Sequence, residues 1–400
     1  MGVSISHPFG NRNVYNAVQA FLENGMLADF HTTLFTRLGG GRRWHSLAEG
    51  ARIRHHSVLL EVARLTSTAL PGVLNGRQNA WVDFVSQRFD RAVSRTHWPS
   101  GETVYCYEDS AHDTFKAAAK IGIRRIYELP TLHWREKQEI IERELASEPE
   151  LEEFAVAAHE TETKLVRKSL EVELADLVIC PSSAARDSVL KHCPISPSVV
   201  VVPYGVAPPR EHKTKSRSST DVLKILFVGA LVPHKGIHRL FRALSRMRSK
   251  RIHLTLAGYW LPSFRTWLDR RYAIEYDFVG KIPRDRVWDL YHQHHLLVLP
   301  SLYEGFGLVL LEAMASGLPV VAARRTAGAD IVEEGKTGFL VEAEDDDALQ
   351  SAFGEALTRQ ADLTEMGRCA RIAARQYSWD NYRARLVATV AEQLAGRVGL

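Results

Sequence analysis

The sequence predicts an α/β fold built as two Rossmann-like βαβ domains facing across a cleft, and three observations predict it. The chain has 400 residues, whereas one domain usually takes about 100–200. Short apolar runs alternate with stretches of helical period, the pattern of parallel strands joined by crossover helices. The segment APPREHKTKSRSST, 207–220, contains almost nothing that could pack and divides two such series.

The second series is the clearer. Residues 224–229, KILFVG, form an apolar run ending in glycine, as a buried parallel strand does. Apolar residues at 237, 240, 241, 244 and 247 follow at helical spacing. Further strands are expected at 252–258, 276–280, 296–300 and 319–323. Helices are expected at 285–294 and 308–316, the latter closed by Gly317 and Pro319. In the first series the strands are expected at 3–6, 30–35, 104–108, 125–129, 177–180 and 199–202. Its helices are expected at 14–23, at 113–121 and along the charged stretch 134–174, which Pro149 breaks. The division that follows is a first Rossmann-like domain over 1–206, a linker over 207–221 and a second Rossmann-like domain over 222–377. A last helix, within 378–400, is free to pack back on the first domain.

Composition narrows the class. The chain is 45% hydrophobic and 24% charged, as a globular enzyme is. Its richest apolar run, 296–323, is broken by Glu304 and Glu312, short of the roughly 20 uncharged residues a membrane span needs. The start, MGVSISHPFGNRN, reads as a buried strand rather than a signal peptide or a lipidation site. Cys106, Cys180, Cys193 and Cys369 form no C-x-x-C pair, which suits a reducing, cytoplasmic setting. A net charge of +4 does not call for nucleic acid. Two basic clusters, Arg42/Arg43/Arg52/Arg54 and Arg242/Arg246/Arg248/Lys250/Arg251, read first as solvated faces. Their second reading is a patch for an anionic acceptor or for peripheral contact with the inner face of a membrane. The loop LFTRLGGGRRW, 34–44, reads in the same two ways.

The strongest chemical signal is PSLYEGFGLVLLE, 300–312. A strand ends, a loop with two glycines follows, and a helix begins. Free N–H groups near Phe306, Gly307 and Leu308 make an anion site that holds a diphosphate without a metal. Two carboxylates beside such a site, Glu304 and Glu312, are suited to accept hydrogen bonds from sugar hydroxyls. Their ordinary alternatives are loop surface for Glu304 and helix electrostatics for Glu312. A second loop, GALVPHKG, 229–236, places Lys235 where it reaches a phosphate as a point charge. Neither half carries G-x-G-x-x-G, which argues against a dinucleotide enzyme.

With these residues in place, the chain resembles the retaining glycosyltransferases of family 4, of the two-Rossmann-domain class called GT-B. PSLYEGFGLVLLEAMASGLPVV matches nearly all of that family's Glu–seven residues–Glu stretch, and GKTGFLV, 335–341, matches its next segment. The resemblance is strong from 222 to 394 and weak before. It implies transfer of a sugar from a UDP-, GDP- or ADP-linked donor to a hydroxyl acceptor, a glycan, glycolipid or small molecule. It implies retention and needs no metal or cofactor. By resemblance Glu304, Lys235 and His133 are catalytic, with His112 the alternative histidine. The donor site takes Gly10, Gly229, Lys235, Val279, Ile282, Glu304, Gly305, Phe306, Gly307, Leu308 and Glu312. Family members usually carry Arg directly after the first glycine of the 229–236 loop. Here that position is Ala230, so one phosphate-neutralising charge is missing; His234, Arg324 and Arg325 are the candidate replacements. The other function classes kept open are a catalytically silent sugar-nucleotide-binding subunit and an epimerase or phosphorylase. A zinc site at His292, His294 and His295 is disfavoured because no acidic ligand stands at fixed spacing.

Overall fold

The computed structural model describes residues 2–34, 50–69, 78–99, 102–155, 160–193, 197–207 and 222–395. The linker, apart from Ala207, and the basic loop from residue 35 onward lie outside the described residues, as do Arg42 and Arg43.

The first half supplies β1 (Val3–Ser6), α1 (Arg12–Glu23), β2 (Leu27–Thr32), β3 (Ile53–His55), α2 (Val58–Ala69) and α3 (Gln78–Val93). It continues with β4 (Thr103–Tyr107), α4 (His112–Lys120), β5 (Arg124–Glu128), α5 (Trp134–Ser147) and α6 (Glu162–Leu174). β6 (Leu177–Cys180), α7 (Ser183–His192) and β7 (Ser198–Val201) complete it. The second half supplies β8 (Leu223–Leu231), α8 (Ile237–Met247), β9 (Ile252–Trp260), α9 (Pro262–Arg271), β10 (Tyr276–Gly280), α10 (Arg284–Gln293) and β11 (Leu296–Leu299). α11 (Leu308–Ala315), β12 (Val320–Ala323), α12 (Gly328–Ile331), β13 (Gly338–Val341), α13 (Asp346–Thr358), α14 (Leu363–Ala374) and α15 (Trp379–Ala395) follow.

The strands form two separate parallel sheets, ordered β3-β2-β1-β4-β5-β6-β7 and β10-β9-β8-β11-β12-β13. Strands buried on both faces read as continuous apolar runs. β6, β11 and β12 are buried at every residue. In each sheet the strand order reverses once, between β1 and β4 and between β8 and β11. Ligands of open α/β sheets bind in the crevice outside the strand carboxyl ends at such a reversal. The loops after β8 and β11 are the two that carry Lys235 and Glu304.

The sequence reading misplaces one strand. β2 covers Leu27–Thr32 rather than 30–35, because it carries a buried aspartate. Asp29 sits inside the strand and pairs with Arg52 and Arg54 at 3.2 and 3.0 Å, so a charge that reads as loop is neutralised within the fold. The charged stretch from residue 134 does break where expected. α5 ends at Ser147, a 3-10 turn spans Pro149–Phe154, and α6 begins at Glu162.

Several contacts join the halves. Val206 bridges to Ser378. On α15, Arg383 donates to Asn16 of α1 at 3.0 Å, and the carbonyl of Gln393 accepts from Arg124 at 2.8 Å. A buried ionic network runs from α5 to α8. Glu144 accepts from Arg239 at 2.6 and 2.9 Å and pairs with His238. Arg239 and Arg242 reach on to Asp346 at 3.2 and 3.1 Å, and Arg242 also pairs with Glu148. Burial opposes the charge on Glu144, but the bonds from His238 and Arg239 outweigh it and hold the carboxyl at about 2.

Candidate active site

The loop after β11 is shaped by close approach. Gly305 lies against the first half: a Cβ there would sit 1.9 Å from the carbonyl oxygen of Pro130, so no side chain fits. Its carbonyl accepts from the Ser182 hydroxyl at 2.6 Å, and the same hydroxyl caps α7 by accepting from Ala185 N–H. Gly307, at φ 85°, takes the left-handed conformation and caps α11, a backbone state that glycine adopts readily. α11 thus starts sharply, leaving its first N–H groups without intrahelical partners and a positive end facing the loop.

Two side chains meet beside that start. The Lys235 ammonium pairs with both oxygens of Glu304, and their side chains keep 17% and 19% exposure. Both therefore remain open to the cleft. Their chain neighbours His234 and Tyr303 stack behind them, ring centroids 5.4 Å apart. Phe306 packs on Tyr204, 5.6 Å between centroids, and Tyr204 donates at 2.8 Å to the buried Glu128.

The other predicted donor residues fall around this pair. Leu308 opens α11 and Glu312 lies inside it. Glu312 is buried and engaged: it pairs with Arg284 from α10, takes a 3.2 Å bond from Tyr291 and has Arg12 of the first half at 3.8 Å. Arg284 and Arg12 escaped the sequence reading. The available signal was position, since Arg284 directly follows the Lys281–Pro283 loop and Arg12 lies two residues past Gly10. Gly229 pairs with Gly258 where β8 and β9 run side by side. Val279 is exposed and Ile282 half-buried. Gly10 lies in the loop after β1, where the N–H groups of Phe9 and Gly10 donate to His7 Nδ1 at 3.1 and 2.9 Å.

His133 is not part of this arrangement of side chains. It caps α5: its Nδ1 accepts from Arg135 N–H, its own N–H donates to Ser188, and its Nε2 lies 3.7 Å from the Cys193 sulfur. It is 2% exposed and stacks on His192, and burial lowers its pKa to about 4. His112 opens α4 and bonds its neighbour Asp113 at 2.9 Å. His234 does not supply the charge missing at Ala230, because burial keeps its imidazole neutral, at about 3. Arg324 and Arg325 are paired with Glu342 and Glu344. His294 bonds the Leu290 carbonyl and His295 accepts from Lys224 N–H. Within the basic clusters, Arg52 and Arg54 pair with Asp29, and Arg242 and Arg246 with Asp346.

Two parallel sheets facing across a cleft, with a lysine and a glutamate at the reversal of the second, define a GT-B protein. Comparison adds a family likeness: residues 209–373 match the model of the glycosyl transferases group 1 family. MMP alpha-(1->4)-mannosyltransferase of Mycolicibacterium hassiacum is 31% identical over 242 residues, 58% of this chain and 57% of that one. A glycogen synthase of Mycobacterium tuberculosis is 31% identical over 245 residues, 59% and 56% of the two chains. The match to these relatives thus spans little more than half their length. A D-inositol 3-phosphate glycosyltransferase of Streptomyces scabiei is 26% identical over 365 residues, 84% and 76% of the chains. The fold is that of sucrose-phosphate synthase from Thermosynechococcus elongatus, TM-score 0.68, 18% identity and 99% of each chain covered. Anabaena HepE in complex with UDP and glucose aligns with TM-score 0.64 and 17% identity, over 98% of this chain and 99% of that one.

Proposed function

We propose that this chain is a retaining glycosyltransferase that moves a sugar from a nucleotide-diphosphate donor to a hydroxyl acceptor in polysaccharide or glycoconjugate biosynthesis, without a metal. The observation that supports it most is the Lys235–Glu304 pair, open to the cleft beside the start of α11. A free donor breaks that pair. The diphosphate takes the ammonium and the helix N–H groups, and the released carboxylate accepts a hydrogen bond from a sugar hydroxyl.

The bond from the sugar's anomeric carbon to the phosphate oxygen then breaks, its electrons passing to the diphosphate. Lys235 and the helix start stabilise that developing charge. The acceptor oxygen bonds the anomeric carbon on the face the diphosphate leaves, and the acceptor's proton passes to the departing phosphate oxygen. Nothing in this sequence requires a pair of carboxylates flanking the bond, as glycosidases use. His133, buried as a helix cap, stays a positioning residue in this account rather than a group that touches the sugar.

Ala230 favours a second reading, a silent subunit that binds sugar nucleotides, because none of its three expected replacements is a free cation. Thermal shift against UDP, GDP, ADP and their sugars identifies the donor, since a ligand of the folded state raises Tm. Transfer assays with the stabilising donor then decide between the readings: turnover supports the enzyme, and binding without cleavage or transfer supports the subunit.

A further inference from the structure

A cavity of about 310 Å³ lies between the halves, directly behind the reacting pair. Its walls are Ile141, Leu145 and Phe154 from the first half and Val232, Leu261 and Leu302 from the second. His234 and Tyr303 also line it. These two stacked rings are one residue from Lys235 and Glu304, so a single aromatic layer separates the cavity from the proposed site of transfer. The one carboxylate in its wall, Glu144, is already bound by Arg239. The volume falls at the lower end of the roughly 300–1,000 Å³ of small-molecule sites, which pair apolar walls with a few polar groups.

A cation lies one helical turn from its wall. Lys137 lies one turn before Ile141 on α5, on the same face, since residues four apart share a face. Among the described residues it makes no hydrogen bond or ion pair through its ammonium. It feels the charges of Glu108, Asp109, Glu160 and Lys168 in the first half and acts electrostatically on His234 of the second, which lines the cavity. Burial lowers its pKa, the expected response of an ammonium held without a bonded partner.

We propose that this cavity holds the alkyl part of an anionic, amphiphilic acceptor, with Lys137 pairing with the acceptor's anionic group at the rim. The inference rests on the transferase reading, because only that reading calls for an acceptor. An alkyl chain gains from leaving water in proportion to the apolar area it buries, and the anion replaces the partner that Lys137 lacks. The acceptor's hydroxyl then lies on the far side of the His234–Tyr303 layer from its tail, towards Lys235 and Glu304.

Calorimetry on the full chain tests this with n-octyl phosphate below its micelle concentration, inorganic phosphate and UDP or GDP. Octyl phosphate is expected to bind one per chain, at least tenfold tighter than inorganic phosphate. Leu145→Trp fills the cavity and Ile141→Phe narrows it; each should weaken octyl phosphate tenfold or more and leave nucleoside diphosphate affinity unchanged. Lys137→Ala should weaken octyl phosphate and leave n-octanol unaffected. Octyl phosphate binding that is multiple per chain, or unchanged in both cavity variants while they still bind the nucleotide, overturns the proposal. Octyl phosphate binding without any nucleoside diphosphate binding would instead count against the donor site and leave the cavity standing.

Discussion

Two ionic sites start from the same helix, α8, and they differ in every respect that separates function from structure. Just before α8, Lys235 pairs with Glu304, and both side chains keep nearly a fifth of their surface exposed. One turn later His238 and Arg239 meet Glu144, with side-chain exposures of 0%, 7% and 4%. In the buried site the carboxylate has several donors and the arginine is shared onward with Asp346, so nothing is left over for a ligand. In the cleft site, among the described residues, the two charges pair only with each other, beside a helix start. A ligand that offers a phosphate to the lysine and a hydroxyl to the carboxylate can take the pair apart, because each charge regains a charge-assisted partner. The same chemistry, a cation on a carboxylate, is a latch in one place and a ligand site in the other.

The largest expected effect tests the cleft site. Lys235→Ala and Glu304→Ala should each lower the rate of sugar transfer by about 10²–10³-fold or more, the scale of losing one preorganised charge-stabilising group. Far-ultraviolet circular dichroism and Tm should stay near wild type. Near-normal turnover in either variant would refute the assignment.

The buried site should behave in reverse. Glu144→Ala leaves Arg239 and His238 buried without their carboxylate and should cost on the order of 3–5 kcal/mol, read from denaturant midpoints. Nucleoside diphosphate affinity of the folded fraction should change little. A variant of unaltered stability would show that the network is not a latch.

Between these lies Gly305→Ala. The added methyl falls 1.9 Å from the Pro130 carbonyl oxygen, so the loop must shift away from the first half. Both Tm and transfer rate should fall, by less than for Glu144→Ala in stability and less than for Lys235→Ala in rate. A fully active Gly305→Ala protein would mean the halves do not touch there during turnover.

The smallest effect is spread over several residues and shows as a pH slope. Burial lowers the imidazoles of His7, His133 and His294 to about 4 and those of His31 and His234 to about 3, against 6.5 when unfolded. A depressed folded pKa means the unfolded chain binds protons first. Stability is therefore complete above about pH 6.5 and is lost as the pH falls towards 4. Denaturation midpoints measured between pH 7 and 4.5 should decline steadily, and His133→Gln should flatten the slope. A midpoint constant over that range would contradict the burial of these rings.

The sequence revealed the second half better than the first for a physical reason. β11 and β12 are buried on both faces and read as unbroken apolar runs, and the loop between them carries a long specific pattern. β3 went unread: three residues at a sheet edge, Ile53-Arg54-His55, have no apolar run to show. β2 was misplaced because Asp29 is neutralised only by residues 23 and 25 positions later. α7, α13 and α14 were also unread; each needs its cap or its packed neighbours to reveal the buried face. At the site, Glu304 and Lys235 could be found because their loops follow strand ends. The cap role of His133 could not, since a histidine after a strand looks the same whether it faces a ligand or the first turn of a helix. Arg284 and Arg12 are brought to Glu312 only by the tertiary fold.

The most direct test is a crystal structure of the chain with a nucleoside diphosphate bound. The account predicts the terminal phosphate within hydrogen-bonding distance of Lys235 Nζ and the N–H groups at the start of α11, with Glu304 released from the lysine. A diphosphate bound elsewhere, with the Lys235–Glu304 pair intact, would contradict it.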